Sequence, residues 1–262
     1  MQKTSSPHGP KSVGRDDLCS FLADTLTIRT IADYSCNGLQ VEGAETVSRV
    51  ALAVDACMES FSAAVENGCQ FILAHHGIIW GGITSVSGPV GKQVRYLIGN
   101  NCNLYAAHLP LDLHPLYGNN AVLAGQLNLH DVSAFGMYKG IPIGYQGKLK
   151  RRQSLQGITD TLNRVLSTTC ATLPFGSETI HTIGIVSGGG SDALGEAIEK
   201  KLDCFITGES THENYHAARE AGINVIYAGH YHTEKGGVIA MGKQIEQKFG
   251  IETCFLDLPT TL

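Results

Sequence analysis

Histidines and acids gather at the ends of several apolar runs in this sequence. Two histidines, His75 and His76, close the run FILAHH, and Glu209 closes the run CFITGE. Two other runs share a histidine followed four positions later by an acid: His108 with Asp112 in YAAHLPLD, and His230 with Glu234 in YAGHYHTE. Ligands of open α/β sheets gather beyond the carboxyl ends of the strands, so these positions predict a functional site.

The chemistry of these side chains favours metal binding. Imidazole and carboxylate ligands without cysteine suit Zn, Fe, Mn, Co or Ni. They are not the ligands of a structural zinc site, which uses thiolates. A carboxylate can bridge two cations, so three histidines and two acids can hold a pair of ions and leave positions open for water. Two ions about 3.5–4 Å apart lower the pKa of a shared water toward neutrality, and the resulting hydroxide can hydrolyse a substrate.

Each part of the pattern also has a plain structural explanation. Successive strand residues point to opposite faces, so His75 and His76 fit one site only if the strand stops there and Gly77 lets the backbone turn. A doublet alone is more often a strand-end feature, and a histidine with an acid four residues on can be a helix cap with a surface charge. Their coincidence at several strand ends favours the metal site. The isolated histidines are given no function: His8, His130 and His181.

Short apolar runs alternate with helix-like segments through most of the chain, which indicates βαβ units. Three runs lie in the first half and four in the second: residues 48–55, 71–76 and 103–108, then 181–188, 204–209, 224–230 and 251–258. The third run of each half contains Tyr, Ala, a small residue and His, and the spacing of the earlier runs also agrees. We therefore predict an α/β fold with an internal duplication, in which two similar subdomains with mixed sheets hold a metal site between them at the carboxyl ends of the strands.

The expected organisation is a single compact unit in four segments. These are a flexible tail at 1–16, a first α/β subdomain at 17–130, a joining segment at 131–180 and a second α/β subdomain at 181–262. The joining segment contains a strand-like stretch at 144–149 and an amphipathic stretch at 154–166. A chain of 262 residues with 43% hydrophobic content can bury a core of this size.

Charge and cysteine content narrow the possible partners. Charged residues make up 16% of the chain and the net charge is -5, so no overall field favours nucleic acid. The basic segment KLKRR, residues 148–152, is expected to be a solvated loop. The eight cysteines include no C-x-x-C pair, which is typical of reduced cytoplasmic proteins. No segment resembles a signal peptide or reaches the roughly 18 apolar residues of a membrane span, so we expect a cytoplasmic protein without membrane contact.

Two glycine-containing motifs resemble nucleotide-binding loops only loosely. GPVGKQ, residues 88–93, has Val86 where a P-loop needs Gly and Gln93 where it needs Ser or Thr. GGGSDA, residues 188–193, follows an apolar run as a dinucleotide-binding turn does, but its glycines equally suit tight packing or the close approach of a ligand to backbone. Neither motif predicts a phosphate site.

Five motifs follow one another through the chain: SCNGLQVEG (35–43), AHHG (74–77), HLPLDLHPLYGNNAVLA (108–124), TGESTHENYHAARE (207–220) and AGHYHTEKGGV (228–238). In this order they resemble the signature blocks of the GTP cyclohydrolase I type 2 homolog family, whose members form rings and contain a dinuclear metal centre. The resemblance implies two divalent metal ions per chain, with five ligands: His75, His76, Asp112, His230 and Glu234. It places His108 near the ions but outside the usual ligands. It also implies that six residues line or brace the pocket: Asn37, Gln40, His108, Asn119, Glu209 and His216.

The same resemblance implies an activity and an assembly. The family is named for hydrolytic opening of the GTP imidazole ring with loss of formate, and its members assemble as homohexameric rings. We therefore expect a metal-dependent hydrolase of a small-molecule or nucleotide substrate, in which Glu209, His108 or His216 moves protons. The alternative is a non-catalytic hexameric scaffold or metal-storage protein. A third possibility, nucleic-acid binding by the ring through Lys150–Arg152, is disfavoured by the net charge.

Overall fold

The structure of the protein is a computed structural model that describes residues 11–260. The strands are β1 (Val13–Gly14), β2 (Gly38–Val41), β3 (Thr46–Val47), β4 (Arg49–Asp55), β5 (Phe71–His76), β6 (Asn103–Ala106), β7 (Leu129–Tyr138), β8 (Ile141–Ser154), β9 (Ala171–Pro174), β10 (Thr179–Val186), β11 (Cys204–Thr207), β12 (Asn224–Tyr227) and β13 (Glu252–Phe255). The α-helices are α1 (Arg15–Thr25), α2 (Met58–Glu66), α3 (Gly88–Gly99), α4 (Leu109–Leu113), α5 (Asn119–Gln126), α6 (Leu155–Leu166), α7 (Leu194–Glu199), α8 (His212–Ala221) and α9 (His230–Phe249). Two 3-10 helices are also present, at Ile28–Thr30 and Gly190–Ala193.

The first of two compact units comprises the described residues up to His108 together with Met241–Leu258. Its main sheet has the order β13-β4-β5-β6-β2, in which β2 alone runs antiparallel. Strands β4 and β5 are apolar runs with nearly every residue buried, as strands covered on both faces are. Parallel pairing brings their carboxyl ends to the same edge, where Asp55 lies opposite His76.

The second unit consists mainly of Leu109–Ala240. Its sheet has the order β7-β8-β10-β11-β12-β9, with β10, β11 and β12 parallel and the other strands antiparallel to their neighbours. One apolar core contains Leu123 of α5 and Leu162 of α6. A second core contains Ala197 of α7 and Ala218 of α8. Both cores therefore lie where helices pack against the sheet.

Four strands follow the same order in both sheets, namely β4-β5-β6-β2 and β10-β11-β12-β9. In each case three parallel strands follow one another in the chain, and an antiparallel edge strand comes from the segment before them. The predicted α/β fold with two similar subdomains and mixed sheets is therefore confirmed. The units differ at the other edge, where β13 is parallel to β4 but β8 is antiparallel to β10.

The boundaries of the units differ from the predicted boundaries at 17–130, 131–180 and 181–262. Helices α4 and α5 belong to the second unit, because α5 packs against β8 and β10. The joining segment also belongs there, since β8 pairs with β10. The run at 251–258, predicted in the second subdomain, instead supplies β13 to the first unit through parallel pairing with β4. Residues 13–16 lie in β1 and α1 rather than in a flexible tail, and residues 1–10 lie outside the described part of the chain.

Two predictions about the surface can be compared with the structure. The KLKRR segment lies in β8 rather than in a loop, because Lys148 pairs with Thr182 of β10 and with His130 of β7. Lys148 and Lys150 nevertheless expose their side chains, as the solvated interpretation requires. Among residues 11–260, no helix is both long enough and apolar enough to cross a membrane.

Candidate metal-binding clusters

Three histidines of the first unit lie together at the carboxyl ends of its parallel strands. His76 is the last residue of β5, and His108 follows β6 by two positions. The ring centroids are 4.6 Å apart for His75 and His76, 5.2 Å for His75 and His108, and 5.6 Å for His76 and His108. One nitrogen from each ring lies within 4.8 Å of the others, so the three rings can hold a metal ion.

Each of these rings has an acceptor next to its Nδ1 atom. The distances from Nδ1 are 2.9 Å for His75 to Ala107 O, 2.8 Å for His76 to Asp55 Oδ1 and 3.0 Å for His108 to Asp33 Oδ1. A carbonyl or an ionised carboxylate only accepts, so these partners assign the proton of the neutral ring to Nδ1. The Nε2 atom then carries the lone pair, which is the arrangement found around metal-bound histidines.

Gly77 makes room for Gln40 directly after the histidine doublet. A Cβ atom at Gly77 would overlap the side-chain amide of Gln40. Gln40 Oε1 accepts from the amides of Ile78 at 2.8 Å and Ile79 at 3.2 Å, and its Nε2 donates to Cys36 O at 2.8 Å. Gly77 is therefore required because a side chain at this position would not fit. The expected reason was backbone freedom, but the φ of Gly77 is not positive.

Asp33 and Asn37 hold His108 in place. Asn37 Oδ1 accepts from the His108 amide at 2.7 Å, and Asn37 Nδ2 donates to Asp33 Oδ2 at 2.8 Å. The Ser35 amide also donates to Asp33, at 3.1 Å. Burial acts to raise the pKa of Asp33, but the hydrogen bonds from His108, Asn37 and Ser35 outweigh it and hold that pKa well below its usual value. Asp33 is thus an ionised carboxylate whose side chain is only 3% exposed.

In the second unit, His230 and Glu234 lie one turn apart at the start of α9. His230 Nε2 lies 2.9 Å from Glu234 Oε2, and His230 Nδ1 lies 2.6 Å from Glu209 Oε1. The 2.9 Å between His230 Nε2 and Glu234 Oε2 is about the separation of two atoms that bind one ion at about 2.1 Å each. Glu209 therefore contacts Nδ1 of His230 in the way that Asp55 contacts Nδ1 of His76.

The backbone at Gly188 leaves space for this pair. Gly188 has a φ of 60°, a conformation that favours glycine. A Cβ atom there would overlap Glu234 Oε1 and would lie 3.0 Å from His230 Nε2. The GGGSDA motif therefore serves the close approach of side chains to the backbone.

Asp112 is buried in the second unit, with 7% of the residue exposed. Its Oδ1 accepts from Asn119 Nδ2 at 2.8 Å and from Ser187 Oγ at 3.1 Å. Asn119 Oδ1 in turn accepts from the amide of Gly237 on α9, at 2.7 Å. Asn119 thereby joins Asp112 to the helix that carries His230 and fixes the orientation of the carboxylate.

His216 is the sequence-predicted residue that these clusters do not include. It lies on the exposed side of α8, where its ring is 6.3 Å from that of His212 and 5.4 Å from that of Tyr215. Within the described part of the second unit, His216 makes no hydrogen bond to Glu209 or His230.

Three polar residues of the clusters were not identified from the sequence: Asp33, Asp55 and Ser187. Asp55 ends β4 and Ser187 follows β10, so the strand-end criterion that found the histidines also applies to them. Asp33 lies in the irregular segment before β2, where no periodicity marks it.

The fold and the clusters define the class of this protein as an α/β protein with histidine and carboxylate groups that can hold metal ions. A family model described as Duf34/NIF3 (NGG1p interacting factor 3) matches residues 13–261. An Archaeoglobus fulgidus protein named GTP cyclohydrolase 1 type 2 homolog is 46% identical over 246 residues, covering 94% of this chain and 98% of that protein. This chain belongs to the Duf34/NIF3 family.

Two solved structures share the fold over nearly their whole length. TTHA1606 from Thermus thermophilus is 38% identical with a TM-score of 0.88, and the match covers 95% of this chain and 100% of that one. The protein ybgI, described as of unknown function, is 31% identical with a TM-score of 0.89 and the same coverage. The family resemblance found in the sequence motifs is therefore confirmed.

Proposed function

We propose that this protein is a metal-dependent hydrolase whose reaction resembles the opening of the GTP imidazole ring with release of formate. The proposed ligands of its two divalent ions are His75, His76, Asp112, His230 and Glu234. One observation carries the proposal: four histidines at strand ends, His75, His76, His108 and His230, each have Nδ1 next to a carbonyl or carboxylate oxygen. A proton on Nδ1 places the lone pair of the neutral ring on Nε2, which is the orientation that an outer partner gives to metal-bound histidines, and we assign this role to His75, His76 and His230.

The donor atoms fit catalytic ions better than structural ones. The proposed set contains imidazole and carboxylate groups and no thiolate, which suits ions that keep positions open for water or substrate. When bound, the ions supply Lewis acidity and make a coordinated water more acidic. The name of the Archaeoglobus fulgidus relative agrees with a hydrolytic reaction on a nucleotide.

His108 is the best placed of the three residues predicted to move protons. Its ring lies beside those of His75 and His76, and Asp33 holds its Nδ1. A histidine oriented by a carboxylate in this way can take a proton at Nε2 and return it. Glu209 instead positions His230, because its Oε1 accepts from His230 Nδ1.

Metal analysis tests the ligand assignment. Protein purified from metal-replete medium should contain bound divalent metal, and the His75→Ala, His230→Ala double variant should lose it. His216→Ala is the matched control, because this histidine lies on the exposed side of α8, and it should retain the metal content of the wild type. Wild-type protein without bound metal would refute the proposal.

Incubation of the metal-loaded protein with GTP tests the reaction. We expect formate release and pterin fluorescence from the wild type and none from His76→Ala. His108→Gln should retain its metal and lose most turnover, whereas loss of metal from this variant would show that His108 is a ligand. Wild-type turnover no higher than that of His76→Ala would exclude GTP as substrate. If a panel of phosphoesters, nucleotides and cyclic amides is also left intact, the protein is a metal-binding scaffold or a storage protein.

We also propose that the protein assembles as a homohexameric ring and resides in the cytoplasm. The ring is supported by the resemblance of the five sequence motifs to those of a ring-forming family. The cytoplasmic location is supported by the eight cysteines, all of which are free thiols. Light scattering of the purified protein should give the mass of six chains, and the mass of a single chain would exclude the ring.

A further inference from the structure

An aromatic pair, Tyr34 and Trp80, lies beside the histidine cluster of the first unit. The Trp80 ring centroid is 5.0 Å from that of His108, with the two planes 74° apart, and 6.1 Å from that of His76. The Tyr34 ring lies 6.5 Å beyond Trp80 at an interplanar angle of 32°, and Tyr34 is 67% exposed. The two rings therefore form an aromatic surface that runs from the histidines to solvent.

The backbone fixes both rings. Trp80 Nε1 donates to Gly77 O at 2.9 Å, which ties the indole to the turn after the histidine doublet. The Gly81 amide donates to Tyr34 O at 2.7 Å. Gly81 has a φ of 66°, and a Cβ atom there would lie 2.6 Å from Cε2 of the Tyr34 ring. The indole is thus held by its own hydrogen bond and the Tyr34 ring packs against Gly81, which lowers the entropic cost of binding.

The histidine cluster remains partly open beside this surface. The side chains of His76 and His108 are 20% and 22% exposed, whereas His75 is fully buried. The segment at 81–89, which follows Trp80, is exposed throughout. A single exposed tyrosine needs no explanation. A fixed pair of rings next to partly open histidines is the arrangement that binds planar ligands by stacking.

We propose that Tyr34 and Trp80 form a stacking platform for a planar, conjugated ring of the substrate, of the kind found in a purine base. This inference rests on the proposed function, because the platform would hold the ring next to the residues that act on it. Stacking tolerates different bases, so the platform selects for an aromatic heterocycle and leaves the choice of base to other contacts.

Trp80 reports on the platform directly, because it is the chain's only tryptophan. The zinc-loaded protein is titrated with guanosine while the tryptophan fluorescence is recorded, and ribose serves as the non-aromatic control. We expect saturable quenching by guanosine and none by ribose. No response to guanosine, or an equal response to ribose, would overturn the platform.

Substitutions then identify which ring acts. In equilibrium dialysis, Trp80→Leu should weaken guanosine binding about tenfold, and Trp80→Phe should restore most of it. Tyr34→Leu should also weaken binding, whereas Tyr138→Leu, which removes an exposed tyrosine of the second unit, should not. Wild-type affinity in Trp80→Leu overturns the proposal.

Zinc content is measured on every protein, which separates the platform from the proposed function. Loss of zinc from Trp80→Leu would show that Trp80 only supports the histidines, and this too overturns the platform. Wild-type protein that holds zinc but does not bind guanosine refutes the platform and leaves the metal site intact. Wild-type protein that holds neither zinc nor iron, manganese, cobalt or nickel refutes the proposed function itself.

Discussion

Asp55 and Asp33 each lie against the Nδ1 atom of a clustered histidine, yet their substitution should have different consequences. The Asp55 side chain is 40% exposed and its carboxylate accepts from His76, whereas that of Asp33 is 3% exposed and accepts from three groups. We expect Asp55→Ala to weaken metal binding with little loss of stability. We expect Asp33→Ala to destabilise the fold.

The magnitudes follow from these surroundings. Removing a partner that orients a metal ligand costs about 10–100-fold in metal affinity, which is about 1.4–2.7 kcal/mol. An exposed pair such as Asp55 with His76 contributes only about 0–1 kcal/mol to stability. Asp33→Ala instead removes the acceptor of the Ser35 amide and of His108 Nδ1, and an unsatisfied buried donor costs about 1–3 kcal/mol.

Two measurements separate the effects. Competition with a chelator at neutral pH gives the metal dissociation constant, and urea denaturation of the metal-free protein gives the free energy of unfolding. Asp55→Asn is the control, because its amide oxygen remains a neutral acceptor and should give an intermediate affinity. Wild-type metal affinity in Asp55→Ala would refute the assignment of Asp55 as the residue that orients His76. A large loss of stability in metal-free Asp55→Ala would show that its role is structural.

Three further substitutions test other parts of the structure. Gly188→Ala should lose metal on elemental analysis, because its Cβ overlaps Glu234 and a left-handed φ costs about 1–2 kcal/mol. The control is Gly189→Ala, which should retain metal because Gly189 has a φ of -78° and a Cβ there would have no atom nearer than 3.6 Å. Equal metal contents in the two variants would contradict the role of Gly188. Burial acts to raise the pKa of Asp203, but hydrogen bonds from Thr182 and His181 outweigh it and lower that pKa. The stability that Asp203 provides is thus complete above its ordinary pKa and is lost as the pH falls toward the lowered value, so Asp203→Asn should flatten the acid side of the Tm profile, and an unchanged profile would contradict this. Leu162→Ala removes a fully buried side chain of α6 and should lower the free energy of unfolding by about 2–5 kcal/mol in urea, a result that a loss below about 1 kcal/mol would contradict.

The sequence revealed strand ends more readily than strand partners. The run at 71–76 coincides with β5, which is buried up to His75, as a strand covered on both faces is. The run at 251–258 was equally recognisable as a strand, but its position was wrong. An apolar run fits either of two similar sheets, and only the long-range hydrogen-bond register assigns β13 to β4. Asp33 was missed for a related reason, since the partner that makes it important, His108, is 75 positions away in the chain.

The repeated histidine-acid motif is used differently in its two copies. Helix α9 begins at His230, so Glu234 lies on the same helical face and its Oε2 comes within 2.9 Å of His230 Nε2. Helix α4 begins one position later in the motif, at Leu109, so His108 precedes the helix, and its Nδ1 meets Asp33 as His230 Nδ1 meets Glu209.

The boundary between the two compact units also falls directly after His108, so that histidine and Asp112 belong to different units. In the second copy, His230 and Glu234 both belong to the second unit. In the second copy the acid four positions on reaches its histidine within one helix, whereas in the first copy the carboxylate beside the histidine comes from Asp33, 75 positions away in the chain. Both histidines have a carboxylate at Nδ1, Asp33 for His108 and Glu209 for His230, so the two copies share this contact and differ in whether the histidine lies in the helix that carries the acid.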